Sequence, residues 1–293
     1  MRICSKRATL FTVATLLWTL ATSGSSQAQT HYQDWKDYVP FPFHAQPTIS
    51  VYYGLTNTSL EGVSQPLADP GFIQVKLGYA NTSTYDYSGG ILKHSFKHIS
   101  LSRFSQKLGS SAEAGEIRSD IWRVDGTFES GYGYGLSRYP SGASIILYYG
   151  SGWNWSDVTF KDPIADPGEE SLLRSYEDGI RFGSNVEAGV RFHVLPLLAA
   201  DAAFERSIIF RRHLFWKWAG STVLETGLQW LLDSFVRKIA RSTPEAAPIV
   251  NLLLKGGLAY GLYEARRNNM NWPFSTEPPI AEDTFKFGLT FMF

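Results

Sequence analysis

The sequence is nearly without cysteine: Cys4 is the single one in 293 residues. One thiol excludes an intrachain disulfide framework of the kind that stabilises many small exported domains. The fold must therefore draw its stability from another source, such as the burial of side chains in protein or in lipid.

An excess of charge of one sign is also missing. The chain has 27 basic and 27 acidic residues, and its formal net charge at pH 7 is zero. A nucleic-acid partner usually requires a basic face, which this balance does not favour. The sequence also lacks a Walker loop, a dinucleotide-binding fingerprint and a zinc-ligand spacing, so we predict no cofactor and no metal site.

The apolar run near the amino terminus is too short to be read as a membrane-spanning helix. A basic stretch at 2–7 precedes an apolar core at 8–20, whereas a spanning helix needs ~20 residues. Small residues follow, ending at Ala28, and this order predicts a signal peptide at 1–28. An uncleaved anchor helix is the alternative. A Pro-punctuated lead-in without a clear period follows at 29–47.

Alternation of apolar and polar residues with a period of two runs through much of the remaining chain. The segment GFIQVKLGY (71–79), for example, puts isoleucine, valine and leucine on one face and glutamine and lysine on the other. Aromatic residues make up 15% of the chain, and there are 26 glycines. We predict strands at 48–55, 71–79, 92–104, 117–136, 143–155, 180–194, 197–207 and 285–293.

Alternation fits both a soluble sandwich and a membrane barrel, but three features favour the barrel. The predicted strands are long, near the 9–11 residues that cross a bilayer when tilted. The count is even, as bacterial barrels require. Short connections also alternate with longer polar ones, although the link at 80–91 is longer than a typical turn. The short ones are 138–142 and 195–196, and the longer ones are 56–70, 105–116 and 156–176.

The chain ends in FKFGLTFMF, a period-two stripe that finishes on an aromatic residue. Its apolar members are Phe285, Phe287, Leu289, Phe291 and Phe293. Together with the predicted signal peptide and the alternating strands, this ending resembles the outer-membrane β-barrel proteins of Gram-negative, double-membraned bacteria. The resemblance is to the class and covers most of the chain beyond the signal peptide. It implies an outer-membrane location, contact with outer-membrane lipid, and a terminal stripe that the barrel-assembly machinery reads as a signal.

The expected fold is an all-β transmembrane antiparallel barrel of about 8 strands, with 8–10 possible. It would occupy residues 48–293 and include a helical insertion at about 210–268, before the last strand. In that insertion, leucines and a phenylalanine recur at helical spacing from Leu224 to Phe235. A second run, Pro248 to Arg266, is favoured as a helix over a strand. The insertion either packs on itself over the barrel mouth or serves as a plug, a lid or a membrane-surface element.

The predicted inward face carries charges of both signs. It has Lys76, Arg123, Arg181, Arg191 and Lys286 together with Asp125, Glu129, Glu187, Asp201 and Glu205. An eight-stranded barrel has room inside for side chains and little more. Because isolated buried charges are costly, we predict a packed ion-pair network. A polar binding site at one end is the alternative, and a passive pore would be favoured by charges of one sign.

Two smaller constellations suggest chemistry. His98, Ser100 and Glu113 loosely resemble the residues of barrel enzymes that deacylate lipid A, in which a base and a carboxylate activate a serine. The residues after Ser100 depart from that pattern, so ordinary strand residues are the favoured interpretation. The acidic stretch at 157–170 is predicted to be a solvated loop, since its spacing matches no calcium-binding loop.

The sequence therefore predicts an outer-membrane barrel that is not an enzyme and that serves envelope structure or handles small ligands or lipids. The alternatives are a barrel enzyme acting on envelope lipid and a passive pore.

Overall fold

A computed structural model describes residues 45–85, 90–109, 113–136, 143–164 and 166–293. The predicted signal peptide and all but the last three residues of the predicted lead-in lie outside these ranges. The strands are β1 (Gln46–Leu60), β2 (Gly71–Thr84), β3 (Ile91–Ser105), β4 (Ser119–Gly135), β5 (Ser144–Phe160), β6 (Arg181–Leu195), β7 (Leu198–Ile209) and β8 (Ile280–Met292). The α-helices are α1 (Pro167–Glu177), α2 (Phe215–Ser242) and α3 (Ala247–Asn268).

Each strand pairs with its neighbours along the chain, and β1 pairs with β8, so the sheet closes into an antiparallel barrel. At the seam, Val51 lies opposite Leu289. Closure leaves no unpaired sheet edge, which is what a sheet requires in lipid. The predicted barrel of about eight strands is confirmed. Six of its eight strands are longer than predicted, and the strands range from 12 residues in β7 to 17 in β4 and β5.

The period-two pattern sorts side chains between the two faces of the barrel. On the outside of β8, β1 and β2, which we call the bare wall, apolar side chains are between 36% and 57% exposed. They include Ile49, Val51, Tyr53, Leu55, Ile73, Val75, Leu77, Tyr79, Phe285, Phe287, Leu289 and Phe291. A contiguous apolar surface of this kind is unusual on a soluble monomer and marks a membrane or partner surface.

The connections differ between the two ends of the barrel. At the turn end, β2 joins β3, β4 joins β5 and β6 joins β7, with a tight link at 196–197. At the loop end lie the longer connections, which span 61–70, 106–118, 161–180 and 210–279. Functional side chains carried by loops would therefore gather at the loop end.

The mouth at the loop end is covered by α1, a helix within the segment that the sequence predicted to be a solvated acidic loop. Asp166 caps this helix by accepting hydrogen bonds from the amides of Gly168 and Glu169. The buried side chains of Leu173 and Tyr176 pack in one apolar cluster with interior residues of the barrel. The mouth is therefore filled by apolar side chains.

The predicted helical insertion is confirmed: α2 and α3 form a hairpin joined by a 3-10 turn at Pro244–Ala246. Of the alternatives for its position, the one over the mouth does not hold, because α1 and the neighbouring loops fill that space. The hairpin instead lies along the outside of β4 to β7. In the described part of the chain, neither this hairpin nor α1 contains a helix long and apolar enough to cross a membrane by itself.

Contacts along the whole length of the hairpin define this position. At the level of α2, Gln229 Nε2 donates to the hydroxyl of Tyr149, which is on the outside of β5, at 3.2 Å. At the turn end, the hydroxyl of Tyr134 donates to the carbonyl of Glu245 at 2.7 Å. Toward the loop end, Arg206 on the outside of β7 pairs with Glu264 at 2.8 Å.

Candidate functional site

The barrel interior is filled by a network of buried ion pairs. Near its centre, Lys76 Nζ lies 2.7 Å from Glu129 and 2.8 Å from Glu187. Lys286 Nζ lies 2.9 Å from Glu187 and also pairs with Glu205. All five side chains are at most 1% exposed. Two lysines thus hold three carboxylates together across the barrel.

Two arginines extend the network in both directions. Arg123 pairs with Asp125 at 2.8 Å, with Glu282 at 3.1 Å and with Glu205. Because Arg123 and Lys286 share Glu205, the pairs form one connected network.

Arg191 continues the network on the side of the turn end. Its guanidinium lies 2.7 Å from Asp201 and 3.3 Å from Glu129, and it shares a 2.9 Å contact with His94 Nε2. The planar fork of an arginine suits several acceptors at once, which a lysine would serve less well. Arg191 thereby joins strands β3, β4 and β7 through one side chain on β6.

Hydroxyl groups satisfy further oxygens of the carboxylates, which outnumber the four cations. Ser100 donates to Asp125 at 2.8 Å, Ser207 to Glu282 at 2.7 Å, Thr290 to Asp201 at 2.6 Å and Tyr148 to Glu187 at 3.0 Å. Buried carboxylates require such partners, because an unpaired one is strongly unfavourable.

Aromatic side chains complete the packing. The cations of Lys76 and Lys286 lie 4.8 Å and 5.1 Å from the ring centroid of Tyr52, and Arg123 lies 4.7 Å from that of Phe104. Above the network, Phe72 and Phe104 belong to the apolar cluster that continues to α1. Toward the turn end, Ile146 and Tyr148 cluster with residues from β3 and β7. The interior is therefore a packed core.

The structure places nine of the ten predicted network residues in this core and leaves one outside it. Arg181 lies at the loop end of β6, where it donates to the backbone carbonyls of Tyr176 at 3.2 Å and Arg211 at 3.0 Å. The prediction that Arg181 belongs to the network is wrong. The period-two pattern shows which face of the sheet a side chain lies on, but not how far along the strand it lies. Glu282 was missed, since the predicted last strand began at Phe285.

The predicted enzymatic triad is not assembled. His98 and Ser100 are both buried inside the barrel, whereas Glu113 is exposed in the β3–β4 loop. The carboxylates near the two interior residues are others: Asp125 accepts from Ser100, and Glu129 lies 3.6 Å from His98 Nδ1. Because Ser100 faces the packed interior, its hydroxyl has no open path to a lipid substrate.

The terminal stripe lies on the outside of the barrel. Phe285, Phe287, Leu289, Phe291 and Phe293 are 39% to 64% exposed and belong to the bare wall or its end. Their backbone groups pair with β1, so this strand closes the barrel as well as presenting the stripe. Its role as an assembly signal stays a prediction.

The acidic residues at 157–170 serve as caps and ion-pair partners. Asp162 accepts from both the guanidinium and the backbone amide of Arg118, and these hydrogen bonds lower the pKa of Asp162 to about 2. Glu169 accepts from the amide of Ser64 at 2.8 Å. Among the described residues, no group of histidine, cysteine, aspartate or glutamate has the geometry to hold a metal ion.

Outside the barrel, the hairpin and the wall enclose a cavity of about 240 Å³, which we call the lateral crevice. Its wall side is formed by outward side chains of β4 to β6, including Phe128, Ser151, Trp153 and Ser184. Its hairpin side is formed by Trp218, Ser221, Thr222, Glu225, Gln229 and Arg266, and Asn271 lies behind them. The lining thus mixes aromatic and hydrogen-bonding groups, as ligand sites do.

Several polar atoms of the lateral crevice are buried without a hydrogen-bond partner in the protein. They are Nε of Arg266, Oε1 of Gln229, and Oδ1 and Nδ2 of Asn271. The other end of the Arg266 side chain pairs with Glu225 at 2.8 Å. Buried polar groups are normally satisfied, so these atoms are exceptions among the described residues. Sequence reasoning missed this site, because its residues come from strands and helices far apart in the chain.

Comparison with known proteins gives no family. No family model and no curated protein matches the sequence. Among solved structures, the chain is similar to Neisserial surface protein A, at 10% identity over 84% of this chain and 97% of that one, with a TM-score of 0.38. It is also similar to Ail, the attachment invasion locus protein of Yersinia pestis, at 11% identity over 85% and 99%, with a TM-score of 0.33.

A further similar structure is the outer membrane protein OprG from Pseudomonas aeruginosa, at 9% identity over 85% of this chain and 97% of that one, with a TM-score of 0.27. These likenesses concern the fold alone. The closed, antiparallel, eight-stranded barrel confirms the fold that the class resemblance implied.

Proposed function

We propose that this chain is an integral outer-membrane protein with a closed barrel, which acts as a structural element of the envelope and neither conducts solutes nor catalyses a reaction. The observation that carries the proposal is the combination of a filled, ion-paired interior and an apolar bare wall. Outer-membrane lipid is the expected partner of that wall, and the barrel-assembly machinery is the expected partner of the terminal stripe.

Bilayer recordings test whether the interior is closed. The purified chain, reconstituted in a planar lipid bilayer, should give no stepwise conductance, because the network and the α1 cluster leave no water-filled path. A barrel known to conduct, reconstituted in the same way, controls for insertion. Reproducible unitary conductance of this chain would support the passive-pore alternative and contradict the proposal.

A second candidate function, the handling of an amphiphilic ligand, is supported by the lateral crevice. Its polar lining, which includes Ser221, Thr222 and Arg266, would bind a headgroup, and its aromatic lining would contact the start of an apolar chain. At about 240 Å³ it has room for part of a lipid rather than a whole one. The crevice lies on the outer wall, where membrane lipid has access to it.

Native mass spectrometry of protein released from phosphatidylethanolamine nanodiscs tests this second function. We expect one retained lipid on the wild-type chain and none on Thr222→Trp, whose larger side chain fills the crevice. Val223→Trp is the matched control, because the neighbouring side chain is 72% exposed and points away from the crevice. Equal retention by Thr222→Trp and wild type, or no retention by either, would contradict lipid binding there.

A further inference from the structure

The outward face of the α2–α3 hairpin carries no charge along its middle. Between Lys217 and Arg237, the exposed residues of α2 are Val223, Leu224, Thr226, Gly227, Trp230, Leu231 and Phe235. Between residues 247 and 261, those of α3 are Ile249, Leu253, Gly257, Tyr260 and Gly261. Several are more than half exposed, with Val223 at 72% and Leu253 at 67%. A helix on a water-facing surface would show charged residues here.

The length of this uncharged face matches a bilayer. At a rise of 1.5 Å per residue, the 20 steps from Lys217 to Arg237 span about 30 Å, the thickness of the hydrocarbon layer. Basic side chains flank it at both ends of α2. At one end are Arg211, Arg212 and Lys217, and at the other are Arg237, Lys238 and Arg241. Such residues suit the lipid headgroups on either side.

The charges within the span are paired between the two helices. Glu225 lies 2.8 Å from Arg266, and Asp233 lies 2.5 Å from Lys255. Three of these side chains are at most 18% exposed, and Asp233 is the most exposed at 39%. Each pair joins α2 to α3. Ionisable residues inside a membrane follow this arrangement, because unpaired ones are expensive there.

The wall beneath the hairpin differs from the bare wall. Outward positions of β4, β5 and β6 include Ser130, Ser151, Tyr149 and Ser184, which present hydroxyl groups. The outward positions of β1, from 47 to 59, carry no charged side chain, and apolar ones predominate at their centre. The hairpin covers these hydroxyl groups of β4, β5 and β6, and it then presents an apolar face of its own.

We propose that the α2–α3 hairpin is embedded in the membrane, with its outward face against lipid acyl chains, so that hairpin and bare wall form one lipid-facing surface. The inference rests on the proposed membrane location of the barrel. Lipid is the occupant because the hairpin lies on the part of the barrel that faces the bilayer, and because its uncharged face is as long as the bilayer is thick. A soluble partner would have to reach into the bilayer to contact this face.

Cysteine accessibility tests the inference in the full chain. The wild-type chain, whose single cysteine is Cys4, serves as the control for background labelling. Val223→Cys, Leu231→Cys and Leu253→Cys replace outward side chains of the hairpin. Arg241→Cys, near the hairpin tip, is the control outside the lipid, and Phe287→Cys is the control on the bare wall. Each variant in open outer-membrane fragments is treated with a charged, water-soluble maleimide, and then again after denaturation. A parallel sample is oxidised to form disulfides between neighbouring copies.

We expect the three hairpin cysteines and Phe287→Cys to react at least tenfold more slowly than Arg241→Cys in the membrane, and all to react after denaturation. Rapid labelling of the hairpin cysteines, with Phe287→Cys protected, would overturn the inference about the hairpin. The proposed membrane location of the barrel would still stand. Protected hairpin cysteines that form disulfide-linked dimers would overturn it in favour of a second copy as the occupant. Rapid labelling of Phe287→Cys as well would overturn the membrane location and the inference with it.

Discussion

At the residue scale, the interior depends on cations that each serve more than one carboxylate. Removing one of them takes an ion-pair partner from two or more buried carboxylates, whereas removing a charge from the surface leaves groups that water can solvate. Breaking a buried pair typically costs about 3–5 kcal/mol, and breaking a surface pair about 0–1 kcal/mol. The network should therefore be far more sensitive to substitution than the loops.

Arg191→Met tests this difference. The substitution removes the cation that pairs with Asp201 and one of the two cations that pair with Glu129, so we expect a loss of roughly 3–5 kcal/mol in unfolding free energy. Arg174→Met is the matched control, since Arg174 pairs with Glu170 and Glu177 on the exposed face of α1, where water can solvate the groups that are left, so its loss should have little effect. Urea unfolding in detergent, followed by tryptophan fluorescence, measures both. Equal effects of the two substitutions would show that the interior pairs do not stabilise the barrel.

Ser100→Ala separates the structural role of Ser100 from a catalytic one. The variant removes the hydroxyl that donates to Asp125, and we expect a destabilisation of about 1–3 kcal/mol with unchanged lipid A acylation. Mass spectrometry of lipid A from a deletion strain, complemented with wild type or with Ser100→Ala, measures the acylation. A change in acylation that only the wild-type gene restores would mean that the interior serine is reached by substrate.

The sequence identifies most interior residues because the period of two assigns each one to a face, as for Glu129 and Arg191. It does not give their heights along the strand, which is why Arg181 was placed in the network although it binds backbone carbonyls near α1. Glu282 was missed for a related reason: the phenylalanine stripe begins at 285, while the ladder with β1 begins at Ile280.

At the scale of elements, the hairpin is an addition to a barrel that is already closed. Ile209 lies opposite Ile280, so a short linker can join β7 to β8 without the helices. Replacing residues 212–278 by a four-residue Gly-Ser linker should leave a folded barrel of lower stability, because the wall at Tyr149 and Ser151 loses its cover. The midpoint temperature of unfolding on a denaturing gel measures this. Complete failure of the shortened chain to fold would show that the hairpin is part of the folding core.

The Arg118–Asp162 pair joins two connections at the loop end of the barrel. The stability that this pair contributes depends on pH in a direction that follows from the pKa of Asp162. The hydrogen bonds from Arg118 lower the pKa of Asp162 to about 2, below its ordinary value of 3.8. The stabilisation is therefore fully present above about pH 4 and is lost as the pH falls through 2. Carboxyl NMR titration should give this low pKa in wild type and a value near 4 in Arg118→Gln. An ordinary pKa in the wild-type chain would contradict the contact.

The sequence contains a signal for the start of helix α1, although the segment was predicted as a loop. Asp166 followed by Pro167, with Glu169 and Glu170 in the first turn, is a recognisable helix start. The segment was predicted as a loop because its acidic composition outweighed this capping pattern. The place of the hairpin, by contrast, was not predictable: an apolar helical stripe looks the same whether it covers a mouth, packs on a wall or faces lipid.

At the scale of the whole molecule, the distribution of charged and apolar side chains between interior and surface is the reverse of that in a soluble protein. A set of charged residues lies paired in the barrel core and another between the helices, whereas the bare wall is apolar. Acyl chains around the wall would make this distribution favourable, and the closed sheet leaves no strand edge unpaired, as a sheet in lipid requires. Strands of 12–17 residues exceed the 9–11 that cross a bilayer, so we expect the barrel to project beyond it at the loop end.

The most direct test of a closed barrel in the outer membrane is heat-modifiability. Outer-membrane and periplasmic fractions are run unboiled and boiled on a denaturing gel, and the chain is detected by blotting. A chain that is found in the outer-membrane fraction and changes mobility on boiling is the predicted result, since a sheet without edges resists detergent until it is heated. A chain that is soluble in the periplasm and shows no shift would contradict the account, and the apolar wall would then have to be covered by protein.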